Sequence, residues 1–326
     1  MRLTGPFVLL CCLGTAAMAD MDEVTQDVIG PSYQRFAMQS AALAAAAEQD
    51  CDAEALRAPY QTAWDAWARI GFFRLGPVEE DGRALAISFW PDPKSSGRRT
   101  QQAIARDNPP LLDDAEAFAG VSVAARGFSG LERLLYPPGL DGAPDVLCRM
   151  RRATAADLAR MSAEIAAAWP EFAETLRRAG QEGNDRYLTA DEAQQAIFTQ
   201  IITGLDYAAD TRMGRPMGTP EQPRPERAES RASGRSLRNL ALSLQGIRDM
   251  ALALYPDASR SAAAFDAALS RAESLDDPVF DGAAEPEGRR QLIALQRAIR
   301  QTRNIVEEEI GQALGLTLGF NSLDGD

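Results

Sequence analysis

The sequence predicts an all-α protein made of two antiparallel helical-bundle domains related by duplication. Apolar residues recur at i, i+3, i+4, i+7 along most of the chain, the spacing that gives a helix one buried face. No run alternates apolar and polar residues long enough to form a strand. Alanine is abundant and aromatics are few, a composition that suits helices packed closely through small side chains.

The periodic segments are 24–48, 60–73, 78–89, 121–136, 146–178, 191–213, 236–254, 261–272 and 287–314. Breakers separate them: Gly30-Pro31, Gly76-Pro77, Pro91-Asp92-Pro93, Pro137-Pro138-Gly139 and the run from Gly180 to Asp185. Thr189 or Asp191 can cap the helix that follows. Long helices joined by short loops are the pattern of bundles. After residues 1–19 are removed, about 300 residues remain, more than one core usually holds. The polar turn at 180–185 therefore divides an N-terminal bundle, 20–185, from a C-terminal bundle, 186–326. Arg69-Ile70-Gly71 before Leu75-Gly76-Pro77 is loosely echoed by Arg212-Met213-Gly214-Arg215-Pro216, as duplication would leave it. The stretch 214–229 holds Pro216, Pro220, Pro223 and Pro225 and is too long for a tight turn; such loops are often functional.

Residues 1–19 read as an export signal: Arg2, an apolar run from Phe7 to Ala17, and Ala17-Met18-Ala19 as the cleavage site, cut after Ala19. Leu10 before Cys11 is not the small residue that a lipid-anchor signal needs. No segment is apolar enough for a transmembrane helix. The expected compartment is the periplasm or cell envelope. The remaining Cys51 and Cys148 then form one disulfide, closing a loop worth about 4–5 kcal/mol in the loop-entropy treatment. Two unpaired thiols on separate helices is the other reading. Net charge is −13, and −14 once Arg2 leaves, which argues against nucleic acid and for a cation or a basic partner surface.

The chain contains no histidine. Ser-His-Asp triads, Cys-His dyads and His-bearing zinc sites are thereby excluded. Binding is the expected role, and any chemistry must come from carboxylates, arginines, tyrosines or a bound ion.

The most specific segment runs from Gly127 to Tyr136. On a helix, Ala124, Phe128, Leu131 and Leu135 share an apolar stripe, and Ser129, Glu132, Arg133 and Tyr136 share the neighbouring one. Gly127 and Gly130 cost about 1 kcal/mol each against alanine, so they admit either a close helix crossing or a ligand. Upstream lies Phe89-Trp90-Pro91-Asp92. Trp90 walls a pocket or joins the core; Asp92, fixed between prolines, faces that pocket or caps a helix over 94–106. Tyr60, Trp64 and Trp67 have core spacing. Residues 212–238 carry seven arginines against three glutamates, and Arg231, Arg235 and Arg238 would share one helix face. Those guanidinium groups pair with Glu132, Asp92 and Glu229 across a cleft, bind an anionic ligand, or form a solvated linker. Ser230, Ser233 and Ser236 can cap the helix there.

With these motifs the chain resembles the imelysin-like family of exported helical proteins. The family context G-F-H-A-I-E-Y-L-L is matched at Gly127, Phe128, Glu132, Leu134 and Leu135. Its F-W-P-D element is similar to Phe89–Asp92 after Gly76-Pro77, and its E-S-x-x-S-x-x-S element to Glu229, Ser230, Ser233 and Ser236. The closing Leu314 to Asp326 also resembles members of this family. The resemblance spans the chain after residue 19. It implies paired bundles around a cleft and a role in iron acquisition beside other envelope iron-uptake proteins. Some members are classed as metallopeptidases, but the family histidine falls on Ser129, so that activity does not carry over. An oxygen-only site for iron or another hard cation stays open, with Glu132 as its metal ligand. The expected ligand-binding set for a small ligand or metal chelate is Ser129, Glu132, Trp90, Asp92, Glu229, Ser233 and Arg235. The contrary expectations are a degenerate metallopeptidase and a helical protein–protein adaptor.

Overall fold

A computed structural model describes residues 20–316, so the export signal at 1–19 and the closing segment after Leu316 lie outside the described residues. The chain is all-α. Among the described residues the sole β-type pairing is an isolated bridge between Thr219 and Gln222.

The first half contains α1 (Gly30–Gln49), α2 (Ala53–Ile70), α3 (Arg83–Ile87), α4 (Ser96–Asp107), α5 (Ala115–Ala119), α6 (Gly127–Leu135) and α7 (Pro144–Arg177). The second contains α8 (Ala190–Asp206), α9 (Gly214–Met217), α10 (Ser236–Leu254), α11 (Ser259–Glu273) and α12 (Pro286–Val306). π-helical turns extend three of them: Glu23–Ile29 runs into α1, Tyr207–Met213 follows α8, and Glu307–Gly311 follows α12.

Three sequence expectations change here. Gly30-Pro31 does not break the first helix, because Pro31 sits in the first α-turn after the π-turn, where its missing N–H costs little. Segment 78–89 keeps only α3, since Asp81 and Gly82 adopt positive φ. Segment 121–136 restarts at Gly127, whose φ is +57°. An alanine Cβ at Gly127 would lie 2.1 Å from the Ala86 carbonyl oxygen, so this glycine admits the end of α3 rather than a ligand.

Helix α1 packs along α7 and α2, and α6 lies across α2 and α7. In the second half α12 packs on α8 and α11, and α10 on α8 and α11. Helix α10 also crosses α2, so one apolar core runs through both halves. Trp64 stacks on Phe128 at 4.5 Å between ring centroids, and Tyr60, Trp64 and Trp67 are all buried, as their spacing predicts. A smaller cluster under α4 and α5 gathers Ile104, Leu112, Phe118, Leu134, Val146 and Met150. Cys51 and Cys148 form a disulfide with Cα atoms 5.2 Å apart, tying the α1–α2 turn to the start of α7. Among the described residues no helix is long and apolar enough to cross a membrane.

Candidate functional site

A cavity of about 600 Å³ opens where the α3–α4 connection and α6 of the first half face the 214–232 stretch of the second. Trp90, Asp92, Ser129 and Glu132 line one side and Glu229 the other. Five of the residues expected from sequence therefore share one space, and Ser233 joins them by bonding to Glu132.

That bond crosses the two halves. Glu132 Oε1 accepts from the Ser233 amide at 2.8 Å and from its hydroxyl at 2.6 Å. Oε2 makes no hydrogen bond among the described residues. Burial pushes the Glu132 carboxyl up and nearby Glu229 adds to this, although the Ser233 donors and Arg133 oppose it. Ser129, at the position of the family histidine, donates its hydroxyl to the Phe89 carbonyl at 3.0 Å.

The other carboxylates are committed elsewhere. Asp92 accepts from the Ser96 amide at 2.9 Å, the Ser96 hydroxyl at 2.7 Å and the Gly97 amide at 2.8 Å, so it caps α4 while bordering the cavity. Burial works to raise its carboxyl, but these donors prevail and hold it below the usual range. Buried Glu229 lies 3.0 Å from Arg212 Nε and accepts from Asn239 at 3.3 Å. Arg212 Nε and Nη1 are buried without an aligned hydrogen bond.

Sequence reasoning singled out Arg133 and the arginines of 212–238 but missed Tyr207, which packs against Trp90 behind this wall. Arg215 lies over the Trp90 ring at 5.9 Å, and Tyr207 meets Trp90 edge-on at 6.5 Å. Burial, reinforced by Glu229, pushes the Tyr207 hydroxyl up to about 12. Half-buried Arg133 donates to Gln101 at 2.7 Å and to the Ala124 carbonyl at 2.5 Å, and burial pushes it down to about 10. No local signal marks the π-turn that carries Tyr207 to this wall.

Arg235 is not part of the lining. It is 1% exposed, lies over the Trp64 ring, and donates to Asp65 at 2.8 Å and Asn239 at 2.8 Å, with Gln61 as a further partner. Nor do Arg231, Arg235 and Arg238 share a helix face, because Ser230 and Gly234 take positive φ and α10 starts only at Ser236. Ser233 and Ser236 do not cap α10; they bond Glu132 and the Glu229 carbonyl.

Asp65 gives this junction a pH dependence. Burial would raise its carboxyl, but hydrogen bonds from Arg238 and Arg235 prevail and hold it below the ordinary value. A depressed folded pKa contributes stability above the unfolded value and loses it as pH falls through the folded one. Between about pH 5 and pH 2, the Tm of Asp65→Asn should therefore fall less steeply than that of the parent. Parallel acid limbs for the two proteins would refute this.

The donors present do not fit a bare hard cation. Such an ion needs about six oxygen ligands. Here only Glu132 Oε2 and Glu229 Oε1 among the cavity's buried or half-buried carboxylate oxygens accept no hydrogen bond from the described residues, and guanidinium groups border the space. Among the described residues no grouping of three or more His, Cys, Asp or Glu side chains could hold a metal.

The imelysin family (peptidase M75) matches the chain over residues 29–306. Iron-regulated protein A of Synechococcus elongatus is 22% identical over 316 residues, covering 87% of this chain and 83% of that protein. An imelysin-like protein from Psychrobacter arcticum superposes with a TM-score of 0.74 at 18% identity, covering 92% of this chain and 96% of its own. A structure assigned as an iron-regulated protein A precursor from Parabacteroides distasonis gives 0.60 at 12% identity, covering 89% and 95%. At these identities the structural likeness speaks for the fold alone. The family match spans most of the chain: this protein belongs to the imelysin family.

Proposed function

We propose that this protein is an exported, non-hydrolytic binding protein of the cell envelope that acts in iron acquisition, with the cavity between its halves as the ligand site. One observation carries the reading: Glu132 of the first half is hydrogen-bonded to Ser233 of the second on the wall of a space that both halves line. A ligand held there touches both halves at once and stabilises the folded protein by mass action. The link to iron rests on the sequence relative described as iron-regulated protein A. Imidazole-dependent hydrolysis is set aside because the chain has no histidine to serve as base or zinc ligand.

Trp90 is the cavity's reporter, since Trp64, Trp67 and Trp169 are buried in the core. Iron salts and iron chelates of anionic, neutral and cationic type should be titrated against the protein. At least one should quench Trp90 fluorescence and raise Tm by about 5 °C at saturation, an order set by mass action. The quench should vanish in Trp90→Phe and weaken in Glu132→Gln, which keeps an oxygen to accept from Ser233. No response to any of them, or an undiminished response in both variants, removes this reading.

A further inference from the structure

We propose that the cavity selects a small polycarboxylate anion through Arg215 and Arg227, so that a metal reaches it already chelated. This deepens the binding role proposed above and rests on it.

The argument is an asymmetry in how the lining charges are used. Four carboxylates, Asp92, Glu132, Glu226 and Glu229, and four guanidinium groups, Arg133, Arg215, Arg227 and Arg231, border the space. The acids are largely committed: Asp92 to the first turn of α4, Glu229 to Arg212, Glu132 Oε1 to Ser233, and Glu226 to Arg224 at 3.9 Å. The bases are not. Only Arg231 has a carboxylate partner, Asp281 at 2.7 Å. Arg133 is held by an amide and a carbonyl oxygen, Arg215 by the Trp90 ring alone, and the Arg227 side chain makes no hydrogen bond or ion pair among the described residues.

Free guanidinium forks match carboxylates, each able to form two parallel charge-assisted bonds. Arg215 is pre-positioned against Trp90, which reduces the ordering cost of binding. The upward shift of Glu132 weakens the repulsion it would exert on an anion. A volume of about 600 Å³ fits a small organic molecule and far exceeds a dehydrated ion. The wider protein is acidic, so selection must come from this local cluster rather than from long-range attraction.

The test is calorimetry in chelator-free, metal-stripped buffer with three probes: citrate alone, ferric citrate, and calcium or manganese chloride. Citrate should bind with or without iron, more weakly as salt rises. Arg215→Ala and Arg227→Ala should each weaken it about tenfold, the loss of one charge-assisted pair. Both side chains are exposed, and an unchanged Tm certifies the fold of each variant. Binding of the metal chlorides but not of citrate overturns the proposal, as does citrate binding that both variants leave untouched. If citrate and ferric citrate fail to bind while the neutral or cationic iron chelates of the fluorescence titration do, in a Glu132-dependent way, the anion selection fails while the binding role stands. Silence from every ligand ends both.

Discussion

Gly246→Ala should destabilise the protein by about 3 kcal/mol or more, although an alanine in mid-helix normally gains about 1 kcal/mol over glycine. Gly246 lies in α10 where it crosses α2. A Cβ built there would sit 1.7 Å from the Arg69 carbonyl oxygen and 2.7 Å from its carbonyl carbon. Those are main-chain atoms at the end of α2, so no side-chain rotation relieves the contact and the helices must part. Separation would loosen the core around Leu244 and Ile247 and strain the Asp65–Arg235 pair, which joins α2 to the turn before α10. Gly204→Ala is the control: the nearest atoms to its Cβ belong to the side chains of Ile247 and Phe72, at 3.0 Å, rather than to the main chain, and side chains can shift. Urea unfolding should show a large drop in midpoint for Gly246→Ala at unchanged slope, and a small one for Gly204→Ala. Equal losses would mean that the α2–α10 crossing yields easily.

What the sequence revealed follows the reach of each interaction. The aromatic stripe of α2 and the 34 residues of α7 were legible because helical periodicity is local. Helix α4 carries almost no apolar periodicity, with Ile104 its one large apolar residue, yet Asp92 ahead of it announced a cap. Glu132 stood out through its motif, and Ser233 through another. Their pairing spans 101 residues and nothing near either one encodes it. Arg235 shows the converse failure. Its i, i+4 spacing from Arg231 assumed a helix that positive φ at Ser230 and Gly234 forbids, and Asp65, from 170 residues away, takes up its charge. The uneven use of acids and bases around the cavity is likewise a property of the packed chain, since composition there shows only mixed charge.

Removing the disulfide should act on the opposite side of the folding equilibrium. Cys51 and Cys148 are 97 residues apart, and a closed loop of that length restricts the unfolded chain by about 4–5 kcal/mol in the loop-entropy treatment. For a chain near 300 residues, that corresponds to a Tm loss of about 10 °C on reduction or in the Cys51→Ser, Cys148→Ser double variant. The folded state should barely change. Arg151 donates to the Cys51 carbonyl at 2.7 Å and Arg152 to the Ala47 carbonyl at 3.1 Å, so the α1–α2 turn stays docked on α7 without the bond. Neither cysteine borders the cavity, and the Trp90 response should survive reduction at temperatures where the protein is folded. The denaturant slope should rise, because an uncrosslinked chain exposes more surface when it unfolds. This separates the two lesions: Gly246→Ala lowers the midpoint at constant slope by straining the native crossing, whereas reduction lowers it with a steeper slope by freeing the unfolded ensemble. A reduced protein that keeps its Tm, or one that loses the Trp90 response while still folded, would show that the bond instead shapes the native state.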